Sequence, residues 1–132
     1  MRAIFPGTKW CGDGDIAAND TDLGKFKEVD ACCREHDKCT INIEAGKMLG
    51  NLMNDGLFTK SACTCDSKFH SCLKATSSFM DKVIAKEIGM MYFGMLQPQC
   101  FQCMCPAEGC NLKEMDCMDG CKKYEWVDNE KF

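Results

Sequence analysis

Between Phe26 and Cys39 the positions Phe26, Val29, Cys32, Cys33, His36 and Cys39 recur every three or four residues. That spacing gathers side chains along one side of an α-helix and predicts a first helix there. A second is predicted through Cys65, Phe69, Cys72 and Leu73. After a break near Thr76-Ser77-Ser78 it continues through Phe79, Val83, Ile84, Ile88, Met91 and Tyr92, and Gln97-Pro98 ends it. Pro6-Gly7 and Gly12-Asp13-Gly14 break any helical period in the first 25 residues, which read as an irregular arm and loop. Gly46, Gly50, Asn51, Asn54 and Gly56 make 40–60 a surface loop or short hairpin. From Cys100 onward six cysteines, Pro106, Gly109 and Gly120 replace hydrophobic periodicity, so 101–132 reads as a crosslinked extension on a core of 1–100 within a single domain. The class expected is mostly α, with an irregular or short β periphery.

Composition sharpens this picture. Thirteen cysteines in 132 residues mark a disulfide scaffold, in which crosslinks replace part of the apolar burial. They imply an oxidising compartment, and we expect a secreted, extracellular protein whose targeting segment has been removed. An odd count leaves at least one thiol free or paired with another chain, or a receptor as partner. With 16 basic against 20 acidic residues and a net charge of −4, the chain lacks the dense basic face that nucleic-acid phosphates require, and no nucleic-acid partner is expected.

Cys32 and Cys39 are seven residues apart, as are Cys65 and Cys72. Seven residues is almost two helical turns, so each pair lies on one face. In antiparallel helices matched positions sum to a constant, and 32 with 72 and 39 with 65 both give 104. Two disulfides would then clamp the helices at levels about 10 Å apart. Cys33, about 100° around the helix from Cys32, faces another way and can reach a third element such as the N-terminal loop through Cys11. The same arithmetic places His36 opposite position 68, within about 3 Å of axial rise of Asp66, so a histidine–carboxylate contact is geometrically plausible.

Trp10-Cys11-Gly12-Asp13-Gly14, Cys32-Cys33-Arg34-Glu35-His36-Asp37-Lys38-Cys39 and Cys63-Thr64-Cys65-Asp66 together resemble the secreted phospholipases A2, most closely the bee-venom type called group III. Pro6 to Gly12 is similar to that group's amino terminus, Met91-Tyr92-Phe93 to its tyrosine-bearing helix, and Lys123-Tyr124-Glu125-Trp126 to its carboxyl end. The resemblance implies a small disulfide-rich phospholipase A2-like fold with two antiparallel disulfide-linked helices and an N-terminal calcium loop. It also implies a Cys11–Cys33 bridge, and one calcium ion held by backbone carbonyls of Trp10, Gly12 and Gly14 and by the Asp37 carboxylate. Hard Ca²⁺ takes such oxygen donors, and glycine permits the turns that aim carbonyls inward.

The implied reaction is hydrolysis of the sn-2 ester of a glycerophospholipid to lysophospholipid and free fatty acid. The implied catalytic set is His36 as general base on water, Asp66 orienting it, and Tyr92 hydrogen-bonded to Asp66. Gly12 N–H is an additional donor to the forming oxyanion. The chain has no Gly-x-Ser-x-Gly elbow to start a serine-lipase mechanism. The expected partner is a phospholipid membrane surface or micelle, met through apolar groups such as Ile4, Phe5, Met90 and Met91 rather than through a cationic face.

The chain departs from the family in its tail. Bridges Cys11–Cys33, Cys32–Cys72, Cys39–Cys65 and Cys63–Cys100 leave Cys103, Cys105, Cys110, Cys117 and Cys121 without an assignable connectivity. Cys100-x-x-Cys103 is half of a zinc pattern without a second clean pair. His70 reads as a helix-surface residue. A binding-only descendant of the scaffold, or a purely structural disulfide module, accounts less well for His36, Asp37 and Asp66 occurring together.

Overall fold

The computed structural model describes residues 4–12, 14–103 and 124–132. Among these, helix α1 spans Lys27–Asp37, α2 Cys63–Lys74 and α3 Phe79–Gly89. Helix α3 runs on through Met90–Leu96 in wider π-type turns. That segment closes with Gln97 N–H donating to the Tyr92 carbonyl at 3.0 Å and with Gln97 at φ 47° ahead of Pro98. The expected break at Thr76-Ser77-Ser78 separates α2 from α3. There the Glu28 carboxylate accepts from Ser77 N–H, Ser77 Oγ–H and Ser78 N–H, so a side chain from α1 caps the start of α3.

The helices enclose one core of Trp10, Phe26, Val29, Phe69, Leu73, Ala85, Ile88 and Phe93, with buried cysteines among them. Four disulfides cross it or its edges: Cys11–Cys33, Cys32–Cys72, Cys39–Cys65 and Cys63–Cys100. Cys103 is also disulfide-bonded, while Cys105, Cys110, Cys117 and Cys121, whose pairing was left open, lie outside the described residues.

Short antiparallel strands form a second layer. Strand β1 (Asn42–Ile43) pairs with β4 (Lys60–Ser61), and β2 (Met48–Leu49) with β3 (Leu52–Met53) around Gly50-Asn51. The longest ladder was not anticipated. It joins β5 (Gln99–Cys103) to β6 (Tyr124–Asp128), running from Gln99 opposite Asp128 to Cys103 opposite Tyr124. The Asn51 side chain donates to the Tyr124 carbonyl at 3.0 Å and accepts its N–H at 2.7 Å, tying the β2–β3 turn to the start of β6. Ile43, Leu52, Ala62, Phe101 and Tyr124 form the core of this layer. After β6 the chain returns to the helices, where the Phe132 ring lies against Gly89 and Phe93.

Candidate active site

His36 is on the last turn of α1 and Asp66 on the first turn of α2. The carboxylate is fully buried, and its Oδ1 is 2.6 Å from His36 Nε2. A carboxylate accepts, so Nε2 carries the proton and the lone pair falls on Nδ1. Phe69, one turn beyond Asp66, stacks on the imidazole with centroids 4.4 Å apart, and the Tyr92 ring meets it edge-on at 5.2 Å. These walls hold the ring in one orientation while leaving the side chain 13% exposed.

Tyr92 O–H donates to the same Asp66 Oδ1 at 3.1 Å. Burial, then the negative charge of Asp66 and its hydrogen bond, then the more distant charge of Asp37, push the phenol well above its ordinary range. Tyr92 therefore stays protonated, a donor rather than a competing anion. The other carboxylate oxygen, Oδ2, accepts from Asn129 Nδ2 at 2.6 Å.

The N-terminal loop is fastened to α1 by a residue the sequence reading passed over. Asp30 is fully buried. Its carboxylate accepts Trp10 N–H at 2.8 Å, Lys9 N–H at 2.9 Å and Gly24 N–H at 2.7 Å, and the Trp10 indole N–H reaches the Asp22 carbonyl at 2.9 Å. Gly12 and Gly14 hold φ of 148° and 79°, in the left-handed range that favours glycine. The Cys11–Cys33 bridge, with Cα atoms 5.0 Å apart, sets the loop one helical turn from Asp37.

The Trp10, Gly12 and Gly14 carbonyls and the Asp37 carboxylate are oxygen donors, the chemistry that a hard cation such as calcium takes. Among the described residues no three His, Cys, Asp or Glu side chains cluster as a metal site, so a cation here would depend on the backbone.

The structure thus brings His36, Asp66 and Tyr92 into direct contact and tethers Trp10, Gly12 and Gly14 to the helix that carries Asp37. His70, on the surface of α2, also has partners: its Nε2 is 3.0 Å from the Lys131 carbonyl and its ring packs between Phe93 and Phe132. Phe5 is half-buried against the helical core, and Ile4, half-buried too, bridges to Gly12. Met90 and Met91 are exposed as expected.

A buried carboxylate thus holds a partly open histidine where two disulfide-linked helices meet. The phospholipase A2 family model matches residues 4–104. The chain is 37% identical to a phospholipase A2 of Apis dorsata over 136 residues, covering 98% of this chain and 99% of that one. It is 40% identical to a phospholipase A2 of Bombus terrestris, covering 95% and 96%, and 39% identical to the phospholipase A2 heteromtoxin of Heterometrus laoticus, covering 89% and 70%. The chain belongs to the phospholipase A2 family, in its bee-venom group III type, and is a phospholipase A2 enzyme.

Proposed function

We propose that the protein is a secreted, calcium-dependent phospholipase A2 that hydrolyses the sn-2 ester of glycerophospholipids to lysophospholipid and fatty acid. The observation that carries this reading is the chain of contacts from Tyr92 through Asp66 to His36, in which a carboxylate acceptor at Nε2 favours the tautomer that a general base needs. With Nε2–H held by Asp66, His36 Nδ1 takes a proton from water as that water attacks the ester carbonyl, then returns it to the departing alkoxide. Asp66 steadies the imidazolium in between, and Tyr92, kept protonated, steadies Asp66. Water is the nucleophile throughout, so no acyl-enzyme forms.

Trp10, Gly12 and Gly14 carbonyls with the Asp37 carboxylate would hold the calcium ion. When bound, the ion supplies positive charge for the substrate phosphate and the ester oxygen. Gly12 N–H adds a donor to that oxygen. In this reading α1 and α2 form an antiparallel platform clamped by Cys32–Cys72 and Cys39–Cys65, residues 1–132 form one domain, and the loop around Gly12 is the calcium loop.

For the lipid surface we revise the apolar-only expectation. Met90, Met91 and Met95 are exposed beside an open groove of about 870 Å³ that Lys74, Lys82, Lys86 and Lys131 also line. A membrane-facing patch here would be locally cationic despite the net charge.

The test is fatty-acid release from phosphatidylcholine vesicles with calcium, with EGTA, and with His36→Gln. Release specific to the sn-2 chain should fall by about a hundredfold or more in the variant and vanish with EGTA. Undiminished release by folded His36→Gln would rule out the histidine mechanism, and undiminished release in EGTA the calcium dependence.

A further inference from the structure

The second oxygen of Asp66 points to a residue far along the chain. Asp66 is fully buried, and its Oδ1 already serves both His36 and Tyr92. Only Asn129 donates to Oδ2 among the described residues, at 2.6 Å. The same Asn129 amide nitrogen donates to the Pro98 carbonyl at 2.9 Å, spending its two N–H bonds on two fixed acceptors.

Its seat is set by strand register. Gln99 lies opposite Asp128 at the end of the β5–β6 ladder, and Gln99 Nε2 donates to Asp128 Oδ1 at 2.9 Å. Asn129 and Pro98 are the next residues outward, so the Asn129 side chain extends the ladder by one bond and turns its other N–H to Asp66. On the far side, Phe132 against Gly89 and Phe93 anchors the remaining residues.

We propose that Asn129 is a positioning residue for catalysis, fixing the plane of the Asp66 carboxylate so that Oδ1 stays on His36 Nε2. This rests on the reading of His36 as general base. With Oδ2 unheld, the carboxylate can turn about its Cβ–Cγ bond and leave a buried oxygen without a donor. An amide suits the task because it does not titrate, so the donor persists at every pH at which the enzyme works. The C-terminal segment is then a working part of the site rather than an appendage to a core ending at residue 100.

The test compares wild type, Asn129→Leu, which keeps similar bulk without a donor, and Asn129→Asp, which keeps the size but sets a carboxylate against Asp66. Turnover on a short-chain monomeric phosphatidylcholine separates kcat from KM, and proton NMR follows the His36 Nε2–H resonance. The expected result is a kcat loss of about tenfold in Asn129→Leu and more in Asn129→Asp, with KM nearly unchanged and the Nε2–H signal displaced. Folded variants with wild-type kcat and an unmoved resonance overturn the proposal, as does a loss confined to KM. If Asn129→Leu fails to fold, Asn129→Asp decides alone. Full activity of His36→Gln in the same assay would instead remove the general-base reading and leave the Asn129–Asp66 contact as architecture only.

Discussion

At Tyr92 a side chain's surroundings set its proton affinity, and the consequence can be measured without any substrate. The phenol is pushed up first by burial and then by Asp66, so the folded state holds its proton where the unfolded chain, with an ordinary value near 10, releases it. The folded state binds more protons above that value, so stability is intact below pH 10 and is lost as pH rises beyond it. Wild type should lose up to about 1.4 kcal/mol per pH unit more than Tyr92→Phe in alkaline unfolding titrations; parallel curves would contradict the assignment. Single residues were unevenly legible in the sequence. The cysteine sums put His36 near Asp66 because helical rise is regular. Asp30 left a signal that went unread, a carboxylate on the same face as Phe26, Val29 and Cys33, where only a fully paired charge can be buried. Asn129 left none, since one asparagine 63 residues from its partner has no spacing to betray it.

Elements were legible where their order is local. Helices α1 to α3 follow from spacings of three and four and from the Thr76-Ser77-Ser78 break, all contained within one turn or two. The β5–β6 ladder was missed because its partners are separated by twenty residues of cysteine-rich chain, too far apart for a turn signal such as Gly109 or Asp119-Gly120 to identify the pair. Gly89 lies where helix and returning tail meet. A Cβ there would come within 2.5 Å of the Phe132 ring, which His70, Phe93 and the Lys74 ammonium surround. Overpacking costs about 1–3 kcal/mol, against about 1 kcal/mol that alanine gains over glycine in a helix. Gly89→Ala should therefore lower Tm in wild type, yet raise it in a Phe132→Ala background where the ring is gone. The same sign in both backgrounds would mean that the tail does not press on α3.

For the whole molecule, net charge proved a poor guide to the charge of one face. The total of −4 suggested purely apolar contact with lipid, but folding gathers Lys74, Lys82, Lys86 and Lys131 around the groove that Met90, Met91 and Met95 line. Sequence totals cannot show this, because which charges share a face depends on how α3 and the returning C-terminus pack. A basic residue near an anionic bilayer contributes about 1 kcal/mol, screened by salt, whereas apolar insertion is largely indifferent to salt. Lys82→Ala with Lys86→Ala should thus weaken binding to vesicles containing phosphatidylglycerol by about 30-fold at low salt, with little change on pure phosphatidylcholine. Met90→Ser with Met95→Ser should weaken both. Sedimentation with vesicles in EGTA, which on the proposed calcium dependence suppresses turnover, separates adsorption from hydrolysis. If the lysine pair changes neither affinity, the enzyme meets lipid through another face, and the groove does not set which membranes it selects.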